Sequence, residues 1–458
     1  MKRLLTFAAA TLAALAAIPA AAQDVVIVNA TVATGDGSDP MPNTTVAIRN
    51  GRVVSVGEEA MEAGATVIDG TGLWVTPGLF SAVTTLGLWD VGAVSQSNDQ
   101  SAGDSAFSAA LDVAPALNPA SQHVAVSRAG GVTRASIFSA PSSSIFGGQG
   151  AIVDLGADRT MLVRPRAFQM VAMGERGARI AGGARTASHA LLRNALREAR
   201  QFGSDARIPG APSQAAELRT GDDLPIDPRL LDRDTPRDDV LLTRFDAAAL
   251  VPVVRGEQPL YIAVERASDI REALALKRDF AGLDLVLVGV SEGWLVADEI
   301  AAAGVPVIAD PLDDLPSSFE QVAATQSNVG RMVAAGVKVA IGGFTNGIVQ
   351  PRNAPQYAGN LVALSRVPGA SGLTWGQAFA TITSVPAEIS GQGGRMGVLA
   401  PGAVGDVVIW NGDPLELSSA PQRVFIDGVE QPLTNHQTRL RDRYRDLDES
   451  DLPKAYDW

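Results

Sequence analysis

The chain has 458 residues, with 37 Lys and Arg against 50 Asp and Glu, a formal net charge of −13. So acidic a chain, with 5% aromatic residues and no basic run, excludes the usual electrostatic routes to nucleic acid. Cysteine is absent, which excludes disulfides, thiolate metal sites, a cysteine nucleophile and a lipoprotein anchor, and only His123, His189 and His436 can offer imidazole.

Residues 1–22 read as a secretory signal peptide: Lys2 and Arg3, an apolar core from Leu4 to Ile18, then Ala20-Ala21-Ala22 before Gln23. The expectation is an exported protein, periplasmic in a Gram-negative cell, with no membrane span after cleavage. Residues 24–73 alternate apolar and polar in short runs broken by Asn50-Gly51 and Asp69-Gly70, the pattern of β-hairpins. Val75 to Leu88, V-T-P-G-L-F-S-A-V-T-T-L-G-L, reads as a turn feeding a buried strand. Beyond it helix and strand alternate. Helices are expected over Ser121 to Ala129, Thr186 to Phe202, Ser268 to Phe280, Glu292 to Ala303 and Gln321 to Ala335. Strands are expected over Thr133 to Phe138, Leu283 to Val288, Val305 to Ala309 and Val337 to Ile341. Repeated βα units of this size predict a parallel sheet, closed or doubly wound. Ser139 to Gly150 reads as a Ser/Gly loop after a strand, residues 202–240 as a Pro/Asp/Arg-rich insertion, and 436–458 as a charged tail.

His123 and His189 lie in helices without a second ligand at i+3 or i+4, so they read as surface or interface histidines. No G-x-S-x-G and no H-E-x-x-H occurs. Glu265, Glu292 and Asp310 are carboxylates that a barrel mouth could gather for acid–base work, and Trp294 and Gln350 could line a pocket beside them. Capping a helix start is the competing role for Glu292.

Several stretches resemble the amidohydrolase superfamily, nearest to its exported imidazolonepropionase-like members. Val75, Pro77, Gly78 and Leu79 match the frame V-x-P-G-L-I-D-x-H-x-H. Arg395 to Trp410, R-M-G-V-L-A-P-G-A-V-G-D-V-V-I-W, matches the C-terminal signature, in which Asp406 holds structure. The resemblance implies a TIM (β/α)8 barrel over 74–395 and a small composite β-sandwich built from 24–73 and 396–430. It also implies hydrolysis of amide or cyclic amide C–N bonds, with zinc or another divalent metal as cofactor. The residues at the matching ligand positions are Val83, Thr85, Ala263, Glu265, Gly289 and Phe344. Only Glu265 is a strong donor for a divalent ion. Two readings follow. The first is a pseudoenzyme without catalytic metal, acting as a subunit of a homo-oligomer or of a hetero-oligomer with an active paralogue, or as a binder. The second is a hydrolase with a relocated site.

Overall fold

The computed structural model describes residues 22–57, 64–205, 241–343 and 350–445. Residues 1–21 of the expected signal peptide, 206–240 of the expected insertion, Phe344, and 446–458 of the tail lie outside the described residues. Among the described residues no helix is long and apolar enough to cross a membrane.

The chain enters through a hairpin of β1 (Val25–Val32) and β2 (Met41–Arg49), continued by β3 (Arg52–Gly57). Asn50 and Gly51 between β2 and β3 both take positive φ, 48° and 75°, as a type I′ turn requires. β4 (Thr66–Asp69) and β5 (Trp74–Pro77) then pair parallel to β1.

Pro77-Gly78 divides the pivotal stretch between two sheets. β5 ends on Pro77, and β6 (Leu79–Thr84) opens the second sheet. Gly78 lies so close to Thr133 that an added Cβ would stand 2.1 Å from its Oγ1, which is why the crossing needs glycine. The second sheet runs β6, β7 (Val132–Ile137), β8 (Phe146–Asp154), β9 (Leu162–Ala172), β10 (Leu260–Val264), β11 (Leu285–Gly289), β12 (Val307–Ala309) and β13 (Val339–Ile341). Its two edges meet on one segment. The Phe80 amide donates to the Ile382 carbonyl at 2.9 Å, and the Ile341 amide to the Thr381 carbonyl at 3.1 Å. The sheet is therefore a nearly closed barrel, the TIM-type architecture the sequence predicts.

Alternation sets its two faces. Phe80, Phe168, Met170, Tyr261, Val288 and Ile308 form one buried cluster within the barrel, with Phe168 and Tyr261 stacked 4.2 Å apart. The intervening residues, such as Ile262 and Leu287, join the layer under the helices. The chain then returns to the first sheet as β14 (Val407–Trp410), β15 (Pro421–Ile426) and β16 (Val429–Glu430), with β14 antiparallel to β5. N- and C-terminal segments thus share one β-rich domain.

A buried ion pair fastens that domain to the barrel. Arg134 on β7 grips Asp406 through Nε at 2.6 Å and Nη2 at 2.9 Å, and also bonds Asp427 at 2.8 Å. The bidentate fork suits a planar guanidinium.

Three expectations need correction. The Ser/Gly stretch is not all loop, because Phe146 to Gly150 belong to β8, which pairs antiparallel with β7 and β9 inside an otherwise parallel set. Its glycines are close-approach sites: a Cβ on Gly150 would stand 2.2 Å from Phe168 Cζ. The segment 321–335 is helical only over Asn328–Ala334, since Gln321 and Ala323 are tied instead to the barrel. Glu292 precedes a 3-10 turn, Gly293–Val296, and the α-helix runs only Ala297–Ala302.

Candidate functional site

The mouth of a TIM barrel lies where its parallel strands end, and the expected ligand positions collect there. Val83 and Thr85 close β6, Ala263 and Glu265 close β10, Gly289 ends β11, and Asp310 follows β12. Val83 and Ala263 are buried in the apolar cluster that fills the barrel. Thr85 is half-buried.

Glu265 is the one strong donor among the described family ligand positions, to which Asp310 does not belong, and one oxygen of its carboxyl is already engaged. Ser291 donates to Oε2 twice, through its amide at 2.9 Å and its hydroxyl at 2.7 Å. Gln321 Nε2 donates in turn to Ser291 Oγ at 3.0 Å. A Cβ built on Gly289 would stand 2.2 Å from Glu265 Oε1. The Glu265 head therefore occupies the space a side chain at 289 would need. Burial, then the charge of Asp310, push the Glu265 carboxyl up to about 8, against the two Ser291 hydrogen bonds. With no cation beside it, the group is mostly the uncharged acid at neutral pH.

The backbone here is shaped to make those bonds. Gly289 and Val290 both adopt left-handed φ, 91° and 59°. For a β-branched residue such as Val290 this costs about 1–3 kcal/mol. The bend aims the Ser291 amide at Glu265 and brings the Glu292 amide to the Glu265 carbonyl at 3.0 Å.

Glu292, expected as a pocket carboxylate, spends both oxygens on backbone. Oε2 accepts from the Ala267 amide at 3.0 Å, at the start of the helix Ala267–Asp279, and Oε1 accepts from the Ala323 amide at 3.1 Å. It caps a neighbouring helix and ties down the segment after β12. Trp294 is held by its own neighbours: Nε1 donates to the Ala323 carbonyl at 2.8 Å, and Arg331 lies 4.4 Å over its ring. Gln350 is exposed and accepts from Arg352 Nε at 3.0 Å. Glu265 and Asp310 are thus brought within electrostatic reach, while Glu292, Trp294 and Gln350 serve elsewhere.

Sequence reasoning passed over Ser291, Gln321, Arg185 and Glu320. Arg185 bridges Asp269 at 2.8 Å and Glu320 at 3.1 Å, which fastens the segment after β12 across the mouth. Polar residues scattered over three distant segments give no spacing signal in the sequence. His123 stacks on Trp89 at 3.8 Å, with Nε2 2.9 Å from the Asp90 carbonyl. Among the described residues no group of three or more His, Asp or Glu is arranged to hold a metal ion. A cleft of about 520 Å3 lies at the opposite end, among the segments that lead into β10 to β13.

A family model described as "Amidohydrolase family" matches residues 153–430. The crystal structure of an amidohydrolase from Thermotoga maritima MSB8 superposes with a TM-score of 0.73 at 23% identity, over 89% of this chain and 99% of that one. Molinate hydrolase gives 0.51 at 16% identity, over 90% and 95%, and phenylurea hydrolase B 0.51 at 14%, over 89% and 96%. These likenesses are of fold. Amidohydrolase tasK of Hapsidospora irregularis is 42% identical over 60 residues, 13% of this chain, and the chain spans 6% of that relative's length.

Proposed function

This chain belongs to the amidohydrolase family, and from that premise we propose that it keeps the fold as a pseudoenzyme, an exported partner subunit or binder without metal-dependent hydrolysis. One observation carries the reading: the only strong donor among the described ligand positions, Glu265, is turned into the space above Gly289 and bonded to Ser291. The metal the family implies does not fit the residues present. Val83, Ala263 and Gly289 offer no side-chain donor, Thr85 offers a weak one, and the Glu265 carboxyl is tied to Ser291. No water-activation step is drawn through such an ion.

The segment after β12 supports the partner role. Its inward side chains are anchored as described, while Leu315, Phe319 and Val322 turn outward, 82%, 90% and 66% exposed. Large apolar groups on a rigid rim are a common mark of a protein interface. The partner that suits this reading is a second family member with its own complete site.

The competing reading, a hydrolase working through Glu265, Glu292 and Asp310, loses Glu292 to its two backbone bonds. The test is an amide, cyclic imide and ester panel run on the purified mature protein, with zinc or manganese added. No turnover is expected. Chelator-sensitive turnover would overturn the proposal. Co-purification from the native host tests the partner role, and recovery as a lone monomer would count against it.

A further inference from the structure

The cleft opposite the mouth has a volume typical of small-molecule sites. It opens among backbone segments that precede β10, β11, β12 and β13, and its charged lining is unevenly neutralised. Lys338 and Glu388 pair with each other at 2.6 Å. The Arg164 guanidinium has no hydrogen-bond or salt-bridge partner among the described residues, although that of Arg166, two positions on, pairs with Asp112 at 2.9 Å. Its guanidinium rests on Gly391, where Nη1 lies 3.4 Å from the place a Cβ would take.

Asp284 lines the same cleft and likewise forms no salt bridge among the described residues. Its charged neighbour Lys277 sends Nζ to the Ala303 carbonyl at 3.3 Å instead. Arg164 and Asp284 both act electrostatically on the buried Tyr261 phenol, with opposite sign. A cation and an anion that share a cleft without neutralising each other form a fixed dipole. Beside the Lys338–Glu388 pair, Glu257 adds a second acid, so among the described residues a bare anion meets two carboxylates without a salt bridge for one such cation.

We propose that this cleft binds a small zwitterion, its carboxylate on Arg164 and its ammonium on Asp284 and Glu257. The site is separate from the mouth and stands whether or not the mouth turns over a substrate.

The experiment is isothermal titration of the mature full-length protein with L-alanyl-L-leucine, its N-acetyl form and its C-terminal amide. Saturable binding of the free dipeptide is expected at a Kd of about 1 mM or tighter. Blocking either end should weaken it about two- to fivefold, as loss of one partly exposed ion pair implies. Arg164→Met and Asp284→Asn should each do the same. Arg166→Met, on the same strand, should change nothing, and matching thermal melts show that the variants fold. No saturable heat, or binding indifferent to both substitutions, overturns the proposal. So does equal binding of the N-acetyl form, which would make the cleft an anion site.

Discussion

Replacing Glu265 with Gln tests whether the buried carboxyl at the mouth is held as the neutral acid. In the native protein the carboxyl is buried and its pKa rises from 4.5 to about 8. A raised carboxylate pKa contributes stability that is fully present below the unfolded value and is lost as pH climbs through the folded one. Here the window runs from 4.5 to about 8. At 1.36 kcal/mol per pKa unit the loss is about 5 kcal/mol, an upper bound because the denatured chain is not featureless. Glu265→Gln keeps the shape and the acceptor for Ser291 but cannot ionise, so it removes the slope. Urea unfolding of both proteins across this range should show the variant gaining on the wild type as pH rises, by several kcal/mol at the alkaline end. Asp154, raised to about 6 by burial, titrates in both proteins and cancels in the difference. Parallel stability curves would refute the reasoning, since they would mean that Glu265 is ionised and solvated or balanced by a cation.

Three further outcomes follow from the packing. Gly289→Ala forces a Cβ against Glu265 Oε1 at a positive φ and should cost about 3 kcal/mol in urea unfolding, with much of it recovered in the double variant Glu265→Ala/Gly289→Ala. Additive losses would mean that the two positions do not share space. Arg134→Met strands Asp406 in the interface between barrel and β-rich domain, and should lower stability by about 3–5 kcal/mol by the same measure. Glu292→Ala should cost about 1 kcal/mol and speed proteolytic nicking near Ala323, with no effect on any hydrolytic background.

Much of the fold was legible in the sequence because its signals are local. Asn50-Gly51 fixes a turn, Pro77-Gly78 marks the crossing between sheets, and the run Leu285–Gly289 is apolar enough for a buried parallel strand. β8 was missed for an equally local reason. Gly147, Gly148 and Gly150 look like a turn, whereas each answers to a close neighbour that the sequence does not name. The helix expected from Gln321 failed because tertiary bonds to Ser291 and Glu292 outweigh a modest propensity. At the mouth, residue identities could mark Val83, Ala263 and Gly289 as poor ligands. They could not reveal that Glu265 leans over Gly289, because that depends on a left-handed turn at 289–290 and on a serine two residues further along.

The most direct test of the central claim, that this amidohydrolase-family barrel holds no catalytic metal, is elemental analysis of the mature protein expressed with zinc and manganese supplied and then dialysed. Metal far below one ion per chain is expected. Near-stoichiometric metal that survives dialysis and is lost in Glu265→Gln would contradict it.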